Sequence, residues 1–450
     1  MHAHILKKDF SPLLKLAVPL ALTGVVSGAA PFFETLFLAH LSQEALAAGA
    51  LVSWLYATFV VIALGILGAI NVLVSHKHGA NDHNAISWVV RDGLLLGLLL
   101  VIPSFLLFWF IPPLFLLFGE DPSIVSLAVA YLHALAWGLL PNFMAIAALE
   151  ALIGLGNTRI IMAFTVLSVA FVVFFSYVLI FGTFGFPALG IAGAGWGMTI
   201  GYWIIAILLA LYILMDKHYK KYFRFVFSTR RPSFFWELLH LGVPIGIMYG
   251  FEVAFFFAIT LIIGSLSNQA LAANQIALQY MVAFMGVIFS IAQAITVRMG
   301  YLLGAQETHS AKQACFAGIW LSAVPMGIIA IVYWCLPALL ISFDLNISAP
   351  QNISLIAEIK ILFAISALFQ IVEAIRIALF GALRALKDTH FTLFISVLSF
   401  WGIALPIGYV LATRFHLGAA GLWWGMTLGA AISVFLLAMR FKSKISSYSY

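Results

Sequence analysis

Apolar residues fall in twelve long blocks, at about 12–40, 46–74, 87–117, 123–155, 159–182, 188–215, 237–266, 269–303, 312–343, 354–386, 390–413 and 417–440, with short polar turns between them. Each block reaches the ~20 residues that an α-helix needs to cross the hydrocarbon of a bilayer. Apolar positions within them are continuous rather than alternating, which excludes the strands of a membrane barrel. The pattern predicts an all-α integral membrane protein of twelve transmembrane helices. Residues 216–236 make the longest polar stretch, too short to bury a core of its own.

The pattern also repeats. "LSQEALAAGAL" from residue 41 matches "LSNQALAANQIAL" from 266, and the same offset of 225 pairs Pro19 with Pro244 and Gly79-Ala80 with Gly304-Ala305. Further on, "LGIAGAGWGMT" from 189 matches "LGAAGLWWGMT" from 417. Six helices have been duplicated to twelve. Six being even, both copies run in the same direction, so two six-helix lobes related by a pseudo-two-fold axis along the membrane normal are expected. The expected division is an N-terminal lobe at 1–215, a cytoplasmic basic linker at 216–236, a C-terminal lobe at 237–440 and a cytoplasmic tail at 441–450.

Composition agrees, with 64% hydrophobic and 8% charged residues, against roughly 25% charged in a soluble domain. If both termini lie inside, most Lys and Arg share their face, among them Lys7, Lys8, Lys77, Arg159, Lys220, Lys221, Arg230, Arg231 and Arg440. The opposite loops hold Glu120, Asp121, Asp344 and Glu358. The positive-inside rule therefore puts both termini in the cytoplasm. The net charge of +6 reports topology and contact with membrane lipid, with no nucleic-acid partner expected. The stretch "LKKDFSPLLKLAVPLALTGVVSGAA" has the outline of a secretory signal, but its apolar run continues through Phe37, so it is expected to stay as the first helix. Cys315 and Cys335 stand twenty residues apart on one predicted helix, ~30 Å along its axis, and cannot bridge. No metal-binding spacing or phosphate loop occurs, so neither a metal nor an organic cofactor is expected.

Most acids sit at predicted helix ends, but Glu34, Glu252 and Glu373 do not. A charge within the hydrocarbon costs roughly 2.5–3.5 kcal/mol on insertion scales, so such groups face a bundle interior or a cavity and mark function by default. Glu252, in "YGFEVAFFFAITLIIG", has no cation within a helical turn and is expected to carry a proton. Glu373 precedes Arg376 by three residues on one helix face, where a structural ion pair is the alternative. Glu34 follows Pro31, whose missing N–H bends the helix, a feature tolerated beside a cavity. Glu150, near a helix end, is expected to pair with Arg159. Under the 225 offset Glu252 meets Ser27 and Glu34 meets Ile259, so the acids are not relics of the duplication.

Three segments resemble the multidrug and toxic compound extrusion (MATE) transporters, in particular their NorM-like branch. "PFFETLFLAHLSQEALAA" is similar to a family segment with an aspartate where Glu34 stands. "GFEVAFFFAITLIIGSLSNQALAANQIAL" puts Glu252 on the family's glutamate and Gln275 on its glutamine. "FQIVEAIRIALFGALRALKDT" puts Glu373 on an intramembrane aspartate. The resemblance implies an antiporter in the bacterial inner membrane, expected as a monomer, that exports bulky organic cations against protons or sodium. The coupling acids would be Glu34, Glu252 and Glu373, with Gln275, Arg376 and Thr199 in support. In "FVVFFSYVLIFG", Val172 and Ser176 replace oxygen ligands that some relatives use for sodium, which favours protons. A sodium site at Glu252 and Glu373 stays open.

Occupancy of a carboxylate in a dry lobe changes the cost of closing that lobe, which links ion binding to conformation. Aromatic side chains near Glu252, with Phe251, Phe255 and Tyr280 as candidates, would hold planar organic cations by cation–π contact. The alternative is a flippase for lipid or lipid-linked oligosaccharide. Such a protein should line its cavity with several cations for pyrophosphate, and here only Arg376 is deep. An intramembrane enzyme would need a nucleophile and base or a metal cluster, which these acids do not form.

Overall fold

The computed structural model describes residues 2–117, 119–226, 228, 234–347 and 349–448, with side chains from Phe10 onward. Among these, eleven helices are long and apolar enough to cross a membrane, and a pair bent by 50° supplies a twelfth span. They are α1 Phe10–Leu41, α2 Gln43–Gly79, α3 His83–Phe110, α4 Pro122–Ala136 with Leu139–Gly154, α5 Thr158–Phe181, α6 Ile191–Met215, α7 Phe235–Leu266, α8 Asn268–Gly304, α9 Thr308–Cys335, α10 Pro350–Ala385, α11 Thr389–Thr413 and α12 Gly418–Ser447. The apolar pattern placed each span. Two of its ends were overrun because proline stops the helix: α3 ends at Phe110 before the short helix Pro112–Leu117, and α9 at Cys335 before Pro337–Asp344.

The duplication is visible in the backbone. Ser42 and Ser267, 225 residues apart, cap α2 and α8 in the same way, each side-chain oxygen accepting from the N–H three residues on, at 3.0 Å from Ala45 and 2.9 Å from Ala270. Asn81 and Gln306, also 225 apart, both take positive φ, 56° and 61°, just past the C-terminal ends of these same two helices. The second pair of matching segments marks helix crossings. A Cβ on Gly197 would stand 2.4 Å from the Ser176 backbone, and one on Gly425 2.5 Å from Gly408 Cα and Ala404 O. Only glycine admits that approach of α6 to α5 and of α12 to α11. Gly425→Val should therefore lower detergent stability by at least about 1–3 kcal/mol, the usual cost of overpacking, read as a fall in melting temperature and yield.

The chain divides into two compact units, Leu22–Gly246 and Met1–Ala21 with Ile247–Tyr450. The sequence pattern placed the boundary in the linker at 216–236, whereas the divisions fall inside α1 and α7, each within three residues of a repeat-paired proline, Pro19 or Pro244. Proline removes a helical hydrogen bond, so each of these helices contributes its two halves to different units. The core of Leu22–Gly246 is built from Leu38, Val52, Ile70, Phe108, Tyr131 and Phe143.

The linker belongs to that unit as packed structure. Tyr219 and Tyr222 are buried in it. The Tyr222 hydroxyl hydrogen-bonds His83 Nδ1 at 3.2 Å, and Ser87 donates to the Lys221 carbonyl at 3.1 Å. Asp92, fully buried, accepts from the Phe234 N–H at 2.7 Å and from Arg91, whose guanidinium lies 4.6 Å above the Trp88 ring. Arg230 and Arg231, counted among the basic positions above, lie outside the described residues. In the second unit Phe255, Phe363, Phe369 and Trp423 form one buried cluster, and Met248, Cys315 and Phe380 anchor another.

Candidate functional site

In the second unit, α7 and α10 bring Glu252, Glu373 and Arg376 together. The three-residue spacing on α10 sets Glu373 and Arg376 on one face, and packing brings Glu252 to the far side of the guanidinium. Arg376 Nε donates to Glu373 Oε2 at 2.7 Å, Nη2 donates to Glu373 Oε1, and Nη1 donates to Glu252 Oε1 at 2.9 Å. Arg376 is 1% exposed, Glu373 2% and Glu252 9%. Two carboxylates share one cation, so the ionised triad holds one excess negative charge away from bulk water. That is costly unless a proton or a second cation joins it.

Two further features hold the triad in place. Ser396 on α11 donates to Glu252 Oε1 at 2.9 Å. Just beyond it, Leu398–Ala404 winds as a π-helix, a wide turn common at functional sites. This turn brings Phe400 beneath Arg376, whose guanidinium carbon lies 4.6 Å from the ring centroids of both Phe400 and Phe380.

Sodium at Glu252 and Glu373 would need the space between the two acids, where Arg376 already engages three of their four oxygens. Among the described residues no three His, Cys, Asp or Glu side chains gather as a metal site.

The first unit carries a different polar group. Glu34 is 7% exposed, and its Oε1 has no hydrogen-bond partner among the described residues. Within electrostatic reach of it are Tyr56 and Tyr202, whose hydroxyls bond each other at 2.9 Å. Asn142 donates to the Tyr56 hydroxyl at 2.8 Å. Thr199 is buried and donates to the Ala134 carbonyl at 2.8 Å, lodged where Gly138 has no side chain. Ser176 is buried with its hydroxyl unpartnered, and Val172 is buried beside Gly201.

Other expected site residues make no hydrogen bond to the triad among the described residues. Gln275 is exposed, and its buried neighbour Asn274 is the one engaged, accepting from Trp423 Nε1 at 3.0 Å. Tyr280 donates to the Leu340 carbonyl and the Asp344 carboxylate, both at 2.8 Å, and packs on Phe363. Phe251 has an exposed ring and accepts a bond from Trp401 Nε1 on its carbonyl, while Phe255 is buried against Phe400. Glu150 is buried and accepts from Asn71 Nδ2 at 2.5 Å, whereas Arg159 is exposed, and among the described residues no ion pair is seen between the two. Ser396, Tyr56, Asn142 and Tyr202 had no sequence signal. Ser366 and Gln370 did, standing seven and three residues before Glu373 on its helix face.

The MatE family profile matches residues 19–178 and 244–410, stretches whose starts differ by the repeat offset (244 − 19 = 225). The chain belongs to the MatE family. Like the other MATE proteins it is a multi-pass membrane transporter and not an enzyme. It is 33% identical over 437 residues to the multidrug resistance protein NorM of Burkholderia vietnamiensis, covering 96% of this chain and 94% of that one. To the probable multidrug resistance protein NorM of Pseudomonas aeruginosa it is 34% identical over 440 residues, covering 97% and 90%. It superposes on the crystal structure of the eukaryotic MATE transporter AtDTX14 with a TM-score of 0.84 at 18% identity, covering 99% of each chain. A MATE structure described as the bent conformation gives 0.86 at 18% identity, covering 99% and 97%. Membership in a family of multidrug efflux transporters favours the exporter over the lipid flippase.

Proposed function

We propose that this MATE protein exports bulky organic cations in exchange for protons, with Glu252, Arg376 and Glu373 as the coupling site. The observation that carries this is the bridging guanidinium. It leaves a buried triad one positive charge short of neutrality and fills the space a sodium ion would use. A proton supplies that charge without recruiting further ligands. An organic cation supplies it too, so the two compete for one excess negative charge, and exchange follows. Glu34, buried with an unpartnered oxygen, gives the first unit its own protonatable carboxyl. The names of the NorM relatives support a small-molecule substrate. Alternating access across the bacterial inner membrane, with both termini cytoplasmic and the chain acting as a monomer, completes the proposal.

The test uses the purified protein in proteoliposomes with the membrane potential clamped and a fluorescent organic cation as cargo. A pH gradient should drive export, and a sodium gradient alone should drive none. Export driven by sodium and indifferent to the pH gradient would overturn proton coupling. Failure to move any organic cation under either gradient would overturn the substrate class.

A further inference from the structure

One turn beyond Glu373, the same face of α10 carries more polar groups in an otherwise apolar core. Ser366, Gln370, Glu373 and Arg376 follow at steps of four, three and three, so they line one side of the helix for ten residues, ~15 Å. None is more than 2% exposed. Gln370 donates from Nε2 to Ser366 Oγ at 3.0 Å, yet its Oε1 is buried without a partner. Tyr333 on α9, 1% exposed, holds its hydroxyl within reach of the Gln370 side chain, but among the described residues no contact to it meets full hydrogen-bond geometry. Asn274 on α8 leaves Nδ2 unpartnered in the same buried cluster of the unit, while its Oδ1 accepts from Trp423.

Unpartnered buried polar groups are costly, and proteins commonly satisfy them with internal water that makes two to four hydrogen bonds. Three such groups within one apolar cluster, one of them a single turn from an acidic residue of the site, are a poor arrangement for stability alone. Tyr333 stands two residues from the end of α9, and its ring stacks on Phe363 at 4.9 Å. It therefore stands between the Gln370 side chain and the face of the helix bundle at the C-terminal end of α9.

We propose that Ser366, Gln370 and Tyr333 hold a short file of buried water that carries protons between that face and Glu373, an inference that rests on proton coupling at the triad. The proton passes from water to a Glu373 carboxylate oxygen, and the donating water takes a replacement from the next one along. The Gln370 amide and the Tyr333 and Ser366 hydroxyls orient the file and keep their own protons throughout. The titratable groups around the file are Tyr333 on α9, Tyr280 on α8 with its partner Asp344, Glu252 on α7, and Glu373 with Arg376 on α10. Gln370 is thus a positioning residue, one link away from the acid that binds the proton.

Gln370→Leu and Tyr333→Phe, made in the full chain, test this in proteoliposomes. Gln370→Leu should slow export driven by a pH gradient by roughly 10–100-fold, the range seen when a supporting partner of a functional group is lost. Tyr333→Phe should slow it less, and the double variant should be no slower than Gln370→Leu. Exchange of labelled for unlabelled substrate, which moves no proton, should stay near wild type in all three, with unchanged melting temperature. Proton-driven export at the wild-type rate in Gln370→Leu would overturn the proposal, as would equal loss of both transport modes. Loss of export in Glu252→Gln and Glu373→Gln with wild-type behaviour in Gln370→Leu removes the water file and leaves the coupling site intact. Sodium-only coupling removes both.

Discussion

Glu252→Gln and Glu373→Gln should each abolish coupled export while leaving a folded protein in the membrane. Glutamine keeps the shape and the hydrogen-bonding capacity of the side chain but neither titrates nor carries charge. In Glu252→Gln the amide oxygen can still accept from Ser396 and Arg376, and in Glu373→Gln it can still accept from Arg376. Either substitution removes the excess negative charge, and with it the reason for a proton and an organic cation to compete. The coupling free energy between two such ligands is typically about 1–3 kcal/mol, or 5–150-fold in affinity. The prediction is a drop of that size in the pH dependence of substrate binding, together with loss of uphill export. The checks are substrate affinity at two pH values, initial export rate, and melting in detergent. Wild-type export by both variants would sink the coupling site.

Arg376→Gln is expected to have the larger effect on the folded state. It takes the cation from two carboxylates that are 2% and 9% exposed and removes a guanidinium stacked on Phe380 and Phe400. Breaking a buried pair by deleting one partner costs about 3–5 kcal/mol, because the remaining charge has no compensation. The protein should escape part of this by protonating its acids, so Arg376→Gln should be most stable at low pH and lose stability as pH rises. Adding Glu373→Gln to Arg376→Gln removes one of the stranded acids and should recover most of the melting temperature. A double variant no more stable than Arg376→Gln would mean that the arginine acts through packing rather than charge.

The acids illustrate what could be foreseen and what could not. Glu373 and Arg376 lie three residues apart in the sequence, and helical geometry alone sets them on one face. Ser366 and Gln370 follow the same periodicity. Glu252 looked isolated, since no cation stands within a turn of it, and its partner proved to be 124 residues away. Along α8, Asn274 is buried and Gln275 exposed, a difference of one position around the helix that the sequence pattern does not reveal. Glu150 was assigned to Arg159 by proximity in sequence, whereas the side chain turns into the helix contact and meets Asn71.

Twelve spans, their order, the duplication and the family were determined by the sequence alone, because hydrophobic length and a 225-residue echo are properties of the chain read in one dimension. The prolines at which α1 and α7 part were visible there too. Only the tertiary structure decided that those helices share their halves between compact units, since a proline permits a division but contacts select it. It alone showed the linker packed through Tyr219, Tyr222 and Asp92, a stretch whose polarity had marked it as a mere connection. It alone joined Glu252 to Arg376, and Tyr56 to Tyr202. Burying a polar group away from water is costly unless it is hydrogen-bonded, and which partner a side chain finds is set by how the helices pack.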